Sequence, residues 1–160
     1  MVSRNISQVL GIIIIIAILF SFFGFTYYAD ADAILHLYSD VDTINGVNIK
    51  VTSAIITFTL NISNPTTRNI NDLSSTFDIF IKQNKIGQGS FSGIDIPAES
   101  SVYEKVSITV YYNQTLASIW DTIVDKFQGQ ETTLVIKGTM DASVLFGLTK
   151  ASQDFIATSS

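Results

Sequence analysis

The sequence predicts a mainly β domain with one packed α-helix, carried outside the cell membrane behind a single transmembrane helix. Three observations carry that reading. No Asp, Glu, Lys, Arg or His occurs from Asn5 to Ala29. From Val47 onward apolar and polar residues alternate with period two, the strand signature. One later segment, "NQTLASIWDTIVDKFQGQ", instead places its apolar residues three and four apart, as a helix does.

Composition sets the outer limits. A chain of 160 residues is sized for one domain, and with two Pro and 14% charged residues it lacks the make-up of long disorder. The absence of Cys excludes disulfides, thiolate metal sites and a cysteine nucleophile together. All fourteen acids, and every base except Arg4, follow residue 29. That acidic part is a poor match for nucleic acid or anionic headgroups.

The uncharged segment contains "VLGIIIIIAILFSFFGFTYY", Val9 to Tyr28. At about 1.5 Å per residue it makes roughly 30 Å of helix, one hydrocarbon thickness. Tyr27 and Tyr28 fall where an interfacial aromatic belt belongs. Arg4 precedes the span, Asp30 and Asp32 follow it, and the next base is Lys50. The positive-inside rule therefore leaves residues 1–8 cytoplasmic, residues 9–28 in the membrane and the rest extracytoplasmic. Ala29-Asp30-Ala31 and Ala31-Asp32-Ala33 also fit a small-x-small cleavage site. The apolar core exceeds the roughly 7–15 residues of a signal peptide, so an uncleaved anchor is the preferred reading.

Residues 29–46 read as an acidic juxtamembrane segment, a short strand or linker. Ile56, Phe58, Leu60 and Ile62 then face one way, with Thr57, Thr59, Asn61 and Ser63 opposite. Phe77, Ile79 and Ile81 repeat the pattern, "QNKIGQG" turns the chain, and "IGQGSF" returns it. "IPAESS" is a second turn, and Val102, Val106, Ile108, Val110 and Tyr112 build the next strand. The helix, about 115–127, buries Leu116, Ile119, Trp120, Ile123 and Phe127, with Asn113 or Thr115 as cap and Gly129 as stop. So short a helix is marginal in water and must pack on a sheet. "TTLVIKGTMDASVLF" and "LTKASQDFIA" supply the last strands.

Two sequons fall on the outer side. Asn61 begins Asn61-Ile62-Ser63 on the outward set of its strand, and Asn113 begins Asn113-Gln114-Thr115. Both are candidate N-glycosylation sites, although Asn113 serves equally as a helix cap. Asn5-Ile6-Ser7 lies on the cytoplasmic side and is unusable. Pro65 ends its strand because it has no N–H to donate.

The order of these features resembles the LEA14-like family, the type 2 late-embryogenesis-abundant or WHy domain found behind one membrane helix in archaeal proteins. The resemblance rests on "LNISNPTTRNIND", "NKIGQGSF", "IPAESS", the helix and "LVIKGTM", and spans 34–157. It implies an immunoglobulin- or fibronectin-like antiparallel β-sandwich with a packed helix. Asn64, Pro65, Gly87, Gly89, Ile96 and Pro97 match its motif positions, where their roles are structural. The family is associated with water-stress, freezing and desiccation tolerance and, in some members, with lipid handling. It has no accepted catalytic residues to carry over.

Little catalytic chemistry remains. The single histidine, His36, lies near Asp40 and Asp42, but no activated serine accompanies it. A zinc site lacks ligands. "DVDTING" fails as an EF-hand loop because Gly46 is seventh and Val51 stands where the final Glu belongs. Phe58, Phe77, Trp120, Phe127 and Phe155 either fill the core or line an apolar groove for a lipid or acyl chain. The expectation is a non-enzymatic envelope domain without cofactor or metal, protective or ligand-binding in character. The alternative is a structural module engaging an S-layer, a pilus or an archaellum stator.

Overall fold

The computed structural model of the protein describes residues 2–50, 52–81, 83–111 and 133–159. The helix expected at 115–127, with Asn113, Trp120 and Phe127, lies outside the described residues. The described elements are α1 (Val2–Leu35), β1 (Tyr38–Ile49), β2 (Ser53–Asn64), β3 (Ile70–Ile81), β4 (Asn84–Ile96), β5 (Ser100–Tyr111), β6 (Leu134–Val144) and β7 (Thr149–Thr158). They form a mainly β chain of two antiparallel sheets behind one long helix.

The sheets hold three and four strands, in the orders β1-β2-β5 and β4-β3-β6-β7. This is an immunoglobulin-like division with one shift: β4 pairs with β3 instead of joining the sheet of β1, β2 and β5. An isolated parallel bridge from Val41 to Ser159 links the two sheets along one side.

Alternation along each strand decides which face is buried. On β2, Ala54, Ile56, Phe58, Leu60 and Ile62 are all within the core. On β3, Leu73, Ser75, Phe77, Ile79 and Ile81 are the buried set. Phe77 is the hub between the sheets, with ring centroids 6.4 Å from Phe58, 6.2 Å from Phe91 and 6.3 Å from Phe155. Gly89 on β4 and Gly138 on β6 both pair with Phe77. A Cβ on Gly89 would enter the Phe77 ring, and one on Gly138 would meet the Phe77 backbone. Those glycines leave room for the largest side chain at the centre of the core.

The sequence-based boundary at Tyr28 falls inside a helix that runs on to Leu35. Its 34 residues make about 51 Å, well beyond one hydrocarbon thickness. The excess stands on protein: Ala33 and Ile34, with Leu37 just beyond the helix, are buried in the sandwich core. The acidic stretch that read as a short strand or linker is thus divided between the last turns of α1 and the edge strand β1. Two register shifts in the β1–β2 ladder bend that edge. Asp40, Asp42, Asn45 and Asn48 face solvent from it.

Candidate functional site

Strand direction alternates, so one end of the sandwich collects three turns and the top of α1. These are the β2–β3 turn (residues 65–69), the β4–β5 turn (97–99) and the β6–β7 turn (145–148). Four of the six motif residues, Asn64, Pro65, Ile96 and Pro97, also lie at this base.

Asn64 shows why such a residue ends a strand there. Its side chain is fully buried, and Nδ2 donates to the carbonyls of Arg68 at 2.7 Å and Pro97 at 3.0 Å, with a longer 3.5 Å approach to that of Ile96. Oδ1 accepts from the Thr66 amide at 3.1 Å and the Thr66 hydroxyl at 2.7 Å. One amide therefore satisfies both sides of two turns, which a buried polar group requires. Asn69 adds a second staple by accepting from the Ala98 amide at 2.9 Å. With its turn fixed, Arg68 reaches Asp30 of α1, Nε to Oδ1 at 3.7 Å. The other Asp30 oxygen accepts the Leu145 amide at 3.0 Å. Asp30, read from sequence as a topological charge, instead locks the helix to two of the three turns.

Between α1 and the base lies a cleft of about 860 Å³. Phe22, Phe25 and Phe146 line its apolar side, and Arg68, Asn71 and Asp72 lie on its polar side. A second concavity, about 540 Å³, is a dent in the outer face of the four-stranded sheet around Gly89 and Gly138. Its carboxylate is already committed: Asp78 accepts from Lys85 at 2.8 Å and from Gln88 at 3.1 Å. The Lys85 hydrogen bond, then the Gln88 one, holds the Asp78 carboxyl below the usual carboxylate range.

The other sequence candidates are scattered. His36 is exposed and pairs back into the helix, Nδ1 lying 2.8 Å from the Asp32 carbonyl oxygen and 3.6 Å from its carboxylate; it does not reach toward Asp40 or Asp42. Among the described residues no three His, Cys, Asp or Glu side chains gather in metal-binding geometry. Asn61 sits half-buried on the outer face of the middle strand, between Asp40 and Tyr103, and its Oδ1 is shielded without a hydrogen-bond partner. Phe58, Phe77 and Phe155 are buried, with the Phe77 ring packed against the other two, so these three of the core-or-groove candidates lie in the core. Sequence reasoning missed Asp30, Arg68, Asn69 and Phe146. Arg68 had one available signal, a lone base in an otherwise neutral turn.

The base and its helix define a class: an antiparallel β-sandwich with an apolar helix built into one end. Solved structures align with the chain at low identity and with TM-scores below 0.5. No family model matches the chain, and no curated protein matches it. A crystal structure of a protein from Archaeoglobus fulgidus is 15% identical, with a TM-score of 0.40 over 73% of this chain and 94% of that one. A solution structure of an Arabidopsis thaliana protein is 14% identical, with a TM-score of 0.47 over 76% of each chain. A β-glucuronidase of glycoside hydrolase family 2 is 12% identical, with a TM-score of 0.40, and the match covers 11% of its length.

Proposed function

We propose that this chain is a non-catalytic, membrane-anchored LEA14-like domain, held at the outer face of the cell membrane, where it protects the envelope or binds a ligand. The observation that carries the anchor is the environment of α1. Its lower half exposes Ile12, Ile13, Ile15, Ile18 and Phe20, an all-round apolar surface that a bilayer would cover. Its upper end supplies Ala33 and Ile34 to the core. Both small-x-small motifs lie within those upper turns, so cleavage after either would remove Asp30 together with its contacts to Arg68 and Leu145. That favours a retained anchor over a signal peptide. The charge asymmetry around the span favours an outer domain.

The LEA14-like assignment rests on the motif residues of the sequence. Four of them cluster at the helix end, where Asn64 joins the turns that grip α1. Support for a non-catalytic role comes from the lone histidine's place as an exposed helix-end partner. Protease added to intact cells should degrade the sandwich while α1 stays with the membrane fraction. A sandwich protected until lysis would contradict the orientation, and turnover of any small substrate by the purified chain would contradict the non-catalytic reading.

A further inference from the structure

The β6–β7 turn breaks the usual chemistry of turns. Hairpin tips favour Gly, Asn and Asp where the backbone needs positive φ. Here Leu145 and Phe146 adopt φ of 53° and 60°, followed by Gly147 at 84°. Two bulky residues are thus held in a left-handed conformation that disfavours them. Holding them there leaves Phe146 and Leu148 73% and 74% exposed, among the most exposed apolar side chains in the chain. Nothing among the described residues of the sandwich covers them.

Their position says what covers them. Phe146 and Gly147 line the same cleft as Phe22 and Phe25 of α1. Thr26 is buried while Phe25, Tyr27 and Tyr28 around it are exposed, so the sandwich base descends along the helix at least to that level. Thr26 lies four residues, about 6 Å along the axis, below the Asp30 that holds the turn. Asp30 is the first charge after the uncharged segment, so this level coincides with the outer end of the apolar span.

We propose that the β6–β7 turn is a second membrane contact: Phe146 and Leu148 enter the headgroup–acyl boundary of the leaflet that α1 crosses. The occupant of this apolar surface is bilayer lipid, continuous with the lipid around Phe22 and Phe25. The Asp30–Leu145 hydrogen bond sets the depth of the turn relative to the helix. With a helix and a turn both embedded, the sandwich is fixed in tilt as well as in height, its base pressed to the membrane. The proposal rests on the anchor reading above.

The chain has no Cys, so one introduced thiol reports one site. Nitroxide labels on Phe146→Cys and Leu148→Cys of the full chain, in phosphatidylcholine–phosphatidylglycerol vesicles, are compared by power saturation with Phe20→Cys on the helix and Thr109→Cys at the far end of β5. The expected result is that both turn labels resemble Phe20→Cys, several-fold more accessible to oxygen than to a water-soluble nickel chelate, while Thr109→Cys shows the reverse. Turn labels that behave like Thr109→Cys, beside a lipid-exposed Phe20→Cys, overturn the proposal and leave the anchor standing. An aqueous Phe20→Cys label overturns the anchor and this proposal with it.

Discussion

The lower and upper halves of α1 are one continuous helix in two unlike surroundings. From Ile12 to Phe25 the side chains are apolar on nearly every side and exposed, with Phe20 at 75%. From Thr26 upward the helix becomes one-sided. Thr26, Ala33 and Ile34 are buried, whereas Tyr28 and Leu35 are not. A helix apolar all round needs an apolar surrounding; one with a single buried stripe needs only a neighbouring face. The contrast teaches that the apolar span and the sandwich are not two parts joined by a linker. The helix is built into the fold.

Substitutions in the two halves should therefore behave differently, and the largest effect belongs to the upper one. Ile34→Ala removes a fully buried side chain and should cost ~2–5 kcal/mol of sandwich stability. Ile14→Ala, half exposed in the lower half, should change it by less than about 0.5 kcal/mol. Denaturant unfolding of the full chain in detergent, followed by a sandwich-specific signal, separates the two. Equal effects would erase the distinction between the halves.

A smaller effect is expected where the turns grip the helix. Asn64→Ala would strand buried backbone groups and should cost about 1–3 kcal/mol. It should also raise hydrogen exchange at the base of the sandwich before its centre. Asp30→Ala removes the acceptor for the Leu145 amide and should cost about 1 kcal/mol. Asp30→Asn keeps an acceptor and weakens only the partly exposed Arg68 pair, so a few tenths of a kcal/mol are expected.

The smallest effect lies away from the helix altogether. The folded Asp78 carboxyl is held below its unfolded value by Lys85 and Gln88. Its contribution is therefore present above the unfolded carboxylate pKa, about 3.9, and is lost as pH falls through the lowered folded value. Asp78→Asn should slightly flatten the acid limb of the stability profile, because the pair is well solvated. Stability that fell with rising pH through this window would reverse the sign.

The strands around the core were legible because burial is one-sided there. Ile56, Phe58, Leu60 and Ile62 announced β2 by alternation alone, and each is at most 2% exposed. The edge strand β1 was legible only as a short strand or linker: its polar residues face water, Val41 is the one fully buried apolar residue among its described side chains, and its bulges break the period. The upper half of α1 was hidden for a different reason. Asp30 and Asp32 look like the exit from a membrane, and the role of Asp30 as a helix contact depends on Arg68 and Leu145, far away in sequence. At the base, Asn64-Pro65 signalled the end of a strand but not the two turns that its side chain joins. The apolar β6–β7 turn passed as strand because "VLFGL" carries no ordinary turn residue except its glycine.

That α1 is at once anchor and core is tested most directly by the intact mass and first residue of the protein extracted from its membrane. The expected result is a chain in which Arg4 and the apolar span still precede Asp30. A folded, soluble species beginning at Asp32 or Ile34 would contradict it, because that sandwich would stand without the helix turns that carry Asp30.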